Sequence, residues 1–152
     1  MDVSVRCYLF DEDDRVLLVR HDKTSPWVLP GGHAEKEDLS VYETLKRELY
    51  EELGVDIVII WAENEVSDSR VTVKPLPISM HVVSYEHRTK WPTQKFEYLF
   101  FARAQGELEK NEEIHAMQWM DVDEVLALDD GEIPAFFKEV LDQNIDLLEI
   151  IG

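Results

Sequence analysis

The chain has one cysteine, Cys7, so no disulfide can form within it. Its place in an alternating apolar stretch makes it a small core residue rather than a reactive thiol. Basic residues are scarce: 15 Lys and Arg stand against 33 Asp and Glu, a formal net charge of -18. A surface that acidic repels long polyanions and argues against a duplex DNA or RNA partner. A small anionic substrate stays admissible, because a bound cation reverses the local field. Long apolar runs are missing too, and none approaches the ~20 residues that span a bilayer. The opening MDVSVRCYLF has no basic region followed by an apolar run and a cleavage site, so the cytoplasm is the expected location, with no membrane partner. Repeats, low-complexity tracts and Ser/Gly linkers are absent. What remains is 152 residues, 45% hydrophobic and 32% charged, which predicts one globular domain over 1–152.

Val3, Val5, Cys7 and Leu9 alternate with Ser4, Arg6 and Tyr8, the pattern of a strand with two unlike faces. Asp11 to Asp14 is a turn signal, and Val16 to Val19 reads as a second strand. Trp27 to Leu29 reads as a short third strand, stopped by Pro30-Gly31-Gly32. The apolar, β-branched run from Ile57 to Ile60 predicts a buried strand. Ile78 to Tyr85, Phe96 to Ala102 and Ile114 to Met120 complete the set. Ser40 with Glu43 three residues on is a capping box that starts a helix near Val41. Gly54 supplies its stop, and Val41, Leu45, Leu49 and Leu53 give it an apolar stripe. Asp121 to Leu128 suggests a short helix. Pro134 opens a final one, in which Phe137, Val140, Leu141 and Leu148 face inward. The expected fold is α/β, a mixed central sheet between helical layers.

The segment Arg47 to Val55 reads RELYEELGV. At 3.6 residues per turn, Glu51 and Glu52 are the three- and four-residue neighbours of Glu48, so three carboxylates share one face. Like charges so placed repel. Taken alone they read as a solvated acidic face. Hard divalent cations, however, take oxygen ligands, often a few carboxylates plus substrate phosphates. The context favours that use: a strand, the LPGG loop from Leu29 to Gly32, a capped helix, the carboxylates and a glycine stop follow in order. Glycines let a backbone turn sharply or approach a ligand closely.

The run GGHAEKEDLSVYETLKRELYEELGV resembles the box of the Nudix hydrolase family, and the order of strands and helices across nearly the whole chain, including WMDVDEV near the end, is similar as well. The resemblance implies a Nudix-type α/β/α sandwich that hydrolyses a diphosphate bond in a nucleoside diphosphate linked to another group. It implies Mg²⁺, with Mn²⁺ as an alternative, held by Glu48, Glu51 and Glu52. The metal would polarise phosphoryl oxygens, activate water and neutralise the leaving phosphate, with Glu51 and Glu52 counted as catalytic. The best substrate match is a nucleoside triphosphate or similar small nucleotide. ADP-ribose, a nucleotide sugar or a dinucleoside polyphosphate are the alternatives, and a non-catalytic nucleotide sensor is the rival of another class. Room is left for a homodimer. Gly31, Gly32 and Gly54 are implied as conformational, and Arg47 as orienting the loop through a carboxylate. The spacing departs from the family pattern by one residue, with fourteen residues between Gly32 and Arg47 where the family has thirteen. The loop carboxylate therefore falls on Leu39, Asp38 or Glu37, depending on where the count starts. Glu37 is the expected partner of Arg47, with the extra residue bulging between His33 and Leu39.

Other candidates are less specific. Arg20 closes the second strand and could bind a phosphate or make a surface ion pair. Gly32 and His33 lie where a substrate phosphate would approach. Tyr8, Phe10 and Trp27 could stack on a base, though aromatics at strand positions are more often core. Trp91, in HRTKWPTQK, could mark a recognition loop. Family members often carry a glutamate shortly before a tryptophan such as Trp119. Glu113, with Glu112 as alternative, is thus the candidate general base, against the plain reading of an exposed acidic turn.

Overall fold

The computed structural model describes residues 2–62, 65–85 and 93–151. Trp91 lies outside them. In chain order the elements are β1 (Asp2–Phe10), β2 (Val16–Arg20), β3 (Gly31–His33), α1 (Val41–Leu53), β4 (Asp56–Ile60), β5 (Ser79–Tyr85), β6 (Thr93–Gln105), β7 (Ala116–Met120), α2 (Val122–Leu126), α3 (Ala135–Asn144) and α4 (Asp146–Ile151).

The strands form one mixed sheet, ordered β4-β6-β1-β2-β7, with β3 beside β1 and β5 beside β6. β1 and β6 run parallel from Asp2↔Lys95 to Phe10↔Arg103. The other pairings are antiparallel. The long β6 carries β5 on its first half and β4 on its second. β2 meets β1 only at Phe10↔Val16 and then runs beside β7, while β3 takes up the first half of β1.

Alternation along β1 decides the layers. Val5, Cys7 and Leu9 turn to one face, where Leu45, Leu49 and Leu53 of α1 cover them. Tyr8 and Phe10 turn to the other, under Phe137, Leu141 and Leu148 of α3 and α4. The result is an α/β/α sandwich. Each such buried aliphatic side chain contributes about 1.5 to 3 kcal/mol. Cys7 is fully buried, and burial pushes its thiol far up, as expected of a core residue. Val140 packs against the second core only in part.

The expected third strand is displaced. Residues 27–29 form no ladder. Val28 makes a lone bridge to Val19, while Trp27 and Leu29 are buried as coil, and the strand proper is Gly31–His33. An apolar triplet serves a core equally well with or without ladder bonds, so its pattern could not separate the two. The final helical segment is two helices, with Ile145 between them.

Candidate active site on the first helix

Two glycines bring the carboxylate helix onto the sheet. Gly31 has φ 143, and a side chain there would overlap the Val5 carbonyl oxygen and Arg6. Gly32 faces the helix: a Cβ would sit 2.5 to 2.7 Å from the Glu48 carboxyl group. A bare backbone at both positions lets Glu48 lie against β3. α1 begins at Val41, with the Ser40 hydroxyl accepting from the Glu43 N–H at 3.2 Å, and ends at Gly54, whose N–H donates to Tyr50. Both boundaries match the sequence reading.

The partner of Arg47 corrects that reading. Glu37 is exposed and makes no bond to Arg47; Asp38 does. The guanidinium clasps Asp38 with Nε at 3.0 Å from Oδ1 and Nη2 at 3.0 Å from Oδ2, a bidentate pair. The Thr44 hydroxyl and the Glu35 N–H also donate to Asp38. The Arg47 hydrogen bonds, together with the Glu35 N–H, hold this carboxyl well below the usual range. The extra loop residue is accommodated one place later than the bulge would suggest for Glu37. Leu39 stands 88% exposed between Asp38 and the cap Ser40. Counting forward from Gly32 is therefore the physically correct count. The altered spacing leaves the Arg47 clamp complete. Arg47 also donates to the His33 carbonyl oxygen, tying β3 to α1.

The three glutamates differ sharply in setting. Glu51 is exposed and Glu48 half-buried, and each accepts from Arg47 Nη1 at 3.1 Å. Glu52 is 4% exposed, and its Oε2 has no hydrogen-bond partner among the described residues. Burial first, and repulsion from Glu48 second, push its carboxyl up to about 7 against the pull of Arg6. Burial likewise raises Glu48. Glu113 adds to the repulsion on both. It is exposed, in a loop fastened to the end of α1 by Asn111. The Asn111 amide donates to the Glu51 carbonyl at 2.8 Å, its N–H donates to the Glu52 carbonyl, and its side-chain oxygen receives the Glu113 N–H. Sequence reading missed Asn111; an Asn directly before the Glu-Glu pair was the available signal. It also missed Arg6, a lone cation in a buried strand.

The remaining candidates are placed as follows. The Arg20 guanidinium lies over the Trp27 ring, 4.2 Å from its centroid, and its Nε has no hydrogen-bond partner among the described residues. The His33 side chain is exposed beside Gly32. Tyr8 and Phe10 are core, and the Tyr8 hydroxyl donates to the Phe137 carbonyl. Trp27 is core as well.

Among the described residues no three His, Cys, Asp or Glu side chains converge on one point. The donor chemistry nevertheless fits a hard divalent cation. The carboxylate oxygens of Glu48, Glu51 and Glu52 are hard donors on one helix, and the most buried of them has an unpartnered oxygen. An unpaired buried carboxylate is costly unless a cation or a proton completes it.

Comparison with known proteins bears on the whole chain. The NUDIX domain model matches residues 1–140. The human m7GpppN-mRNA hydrolase NUDT17 is 26% identical over 170 residues, covering 99% of this chain and 48% of that protein, so the chain spans about half the length of this relative. A MutT protein from Methanosarcina mazei Go1 has a similar fold, with TM-score 0.70, 20% identity and coverage of 95% and 93% of the two chains. A MutT protein from Bacillus halodurans superposes with TM-score 0.69 at 24% identity, over 93% of this chain and 80% of that one. No helix among the described residues is long and apolar enough to cross a membrane. A match over nearly all of its length, on a glycine-loop and glutamate-helix unit of this geometry, establishes that the chain belongs to the Nudix hydrolase family.

Proposed function

We propose that this chain hydrolyses a diphosphate linkage in a small nucleotide, best matched by a nucleoside triphosphate, with a divalent cation held by Glu48, Glu51 and Glu52. The observation that carries the reading is the buried Glu52 carboxylate, raised to about 7 and lacking a partner for Oε2, on a helix that presents two more carboxylates. Mg²⁺, or Mn²⁺ in its place, would supply Lewis acidity toward phosphoryl oxygens when bound there. The protein's own groups do the rest. Gly32 keeps the backbone low enough for Glu48 to stand at the loop. Arg47 and Asp38 lock β3 against α1, fixing where the carboxylates point. Arg20, at the end of β2, and His33, beside Gly32 on β3, would meet substrate phosphates. Glu113 is tethered by Asn111 and acts as general base, taking the proton of the attacking water.

The test is a screen of nucleotides with Mg²⁺, reading phosphate or pyrophosphate release. Turnover of nucleoside triphosphates is expected. ADP-ribose or a dinucleoside polyphosphate preferred by about a hundredfold in kcat/KM, a difference of roughly 2.7 kcal/mol, would overturn the substrate. Pairing Glu113→Gln with Glu112→Gln assigns the base: loss of the acidic limb of the pH–rate profile in the Glu113 variant, with metal affinity retained, is the expected result. Unchanged turnover in both variants would remove this loop from the mechanism.

A further inference from the structure

The sheet face away from α1 carries a polar cluster that the helix chemistry does not use. Ser4 and Arg6, the polar positions of β1, point there beside Lys95 and Glu97 of β6. Glu97 is 1% exposed, and both its oxygens are engaged. Oε2 accepts from Ser4 at 2.8 Å and lies 3.2 Å from both Arg6 Nε and Lys95 Nζ, while Oε1 lies 3.3 Å from His81 Nε2. Burial pushes this carboxyl up, but Arg6, Ser4 and Lys95 outweigh it and hold it below its ordinary value.

A cavity of about 290 Å³ opens between this cluster and the start of α3. Its walls are largely apolar, with Val28, Val83, Pro134 and the ring of Phe136 among them. That volume is at the small end of ligand sites and suits one ring system. The half-buried Phe136 gives it an aromatic wall. Among the described residues, the polar side chains that reach the space are Arg6 and Lys95, at 15% and 14% exposure, and both only donate. Glu97, the acceptor among the described lining side chains, is covered, with both oxygens engaged. Arg6 also links the cavity to the reaction centre. It pairs in register with Gly31, and its charge acts on Glu52.

Resting on the hydrolase reading, we propose that this cavity receives the organic ring of the substrate, and that its donor-only edge selects a ring presenting acceptors. A 6-oxopurine shows two adjacent acceptors, O6 and N7, where adenine pairs an acceptor with an amino donor; a 4-oxopyrimidine differs from cytosine in the same way. Arg6 and Lys95 keep their bonds to Glu97, and Arg6 its bond to the Leu29 carbonyl, so an amino group turned toward them sets donor against donor and finds no acceptor there. The ring lies along Phe136, Lys95 reads its edge, and the phosphate chain passes Arg6 toward Glu52.

The direct experiment compares ITP with ATP, since inosine replaces the adenine amino group with a carbonyl. A kcat/KM for ITP at least about tenfold above that for ATP is expected, the size of one lost charge-assisted hydrogen bond. In Lys95→Met the ratio falls toward one, and in Lys95→Arg, which keeps the charge and the donors, it is largely restored. Phe136→Leu lowers kcat/KM for both nucleotides and leaves the ratio in place. ATP equal to or better than ITP with the wild-type protein, a comparison that needs no variant to fold, overturns the proposal; so does a ratio that survives in a folded Lys95→Met. If no nucleotide is turned over, the hydrolase reading fails separately, and the cavity is judged by calorimetric binding of IMP and AMP to the metal-free protein. Tighter IMP then supports the ring selection, and equal affinities, or no binding of either, refute it.

Discussion

Two buried carboxylates on opposite faces of one sheet behave in opposite ways. Glu52, under α1, is 4% exposed, lacks a partner for one oxygen and is pushed up to about 7. Glu97, under α3, is 1% exposed, is met by Ser4, Arg6, Lys95 and His81, and is held low. Burial is the largest influence on both and pushes both upward. What separates them is the company. A carboxylate with its cations built in belongs to the folded scaffold. One surrounded by other carboxylates is completed only by something that arrives, a proton or a metal ion.

The largest expected effect lies on the Glu97 side. Glu97→Leu strands Arg6 and Lys95 beside an apolar group and should cost roughly 3 to 5 kcal/mol of unfolding free energy. Urea titration measures it, and a loss under about 1 kcal/mol would show that the cluster is not the scaffold described. On the other face, Glu52→Gln should leave folding intact, because it removes an unpaired buried charge. Turnover should fall by about two orders of magnitude or more, ~2.7 kcal/mol in the barrier. Near-normal activity with unchanged metal affinity would remove Glu52 from the site.

Asp38 sharpens the comparison from a third position, since it is an acid paired with a cation at the edge of the catalytic unit. Asp38→Asn loosens the Arg47 clamp and should lower kcat/KM by about tenfold. Glu37→Gln, one residue away, should change nothing beyond the assay error. Equal losses in the two would mean the loop acts through charge alone.

The smallest effects are the pH slopes, and their signs differ. In the metal-free protein, native Glu52 keeps its proton up to about 7 while the unfolded chain releases it in the ordinary carboxylate range. Stability therefore falls as pH rises between roughly 4.5 and 7. Glu97 and Asp38 are held below their ordinary values, so their contribution is present above the ordinary carboxylate range and is lost as pH falls below it. Unfolding curves with chelator should show the first slope disappear in Glu52→Gln and the second weaken in Asp38→Asn. A variant with the slope intact would break the assignment for that residue.

How far the sequence could be read follows the range of the interactions. α1 was legible to the residue, since Ser40, the leucine stripe and Gly54 act within a few positions of each other. The spacing of Glu48, Glu51 and Glu52 along that helix was legible for the same reason, but their different settings, from exposed Glu51 to buried Glu52, were not. The loop before it was not, because one extra residue makes three counts equally consistent. Only the outward placement of Leu39 selects Asp38 over Glu37. Glu97 was invisible: its partners Ser4 and Arg6 lie more than 90 positions away, joined to it by the parallel pairing of β1 with β6. The unlike faces of β1 hinted that its polar side needed a partner, but not which one.

The central claim is that Glu52 is a buried carboxyl group completed by a cation. It is tested most directly by melting the wild-type protein and Glu52→Gln with chelator and then across a Mg²⁺ titration. The wild-type protein should gain stability along the linkage curve, about 2.7 kcal/mol at a hundred times the dissociation constant. Glu52→Gln should require at least about tenfold more Mg²⁺ for the same gain, ~1.4 kcal/mol weaker binding. Identical curves for the two proteins, or no stabilisation of the wild type at any Mg²⁺ concentration, would contradict the account.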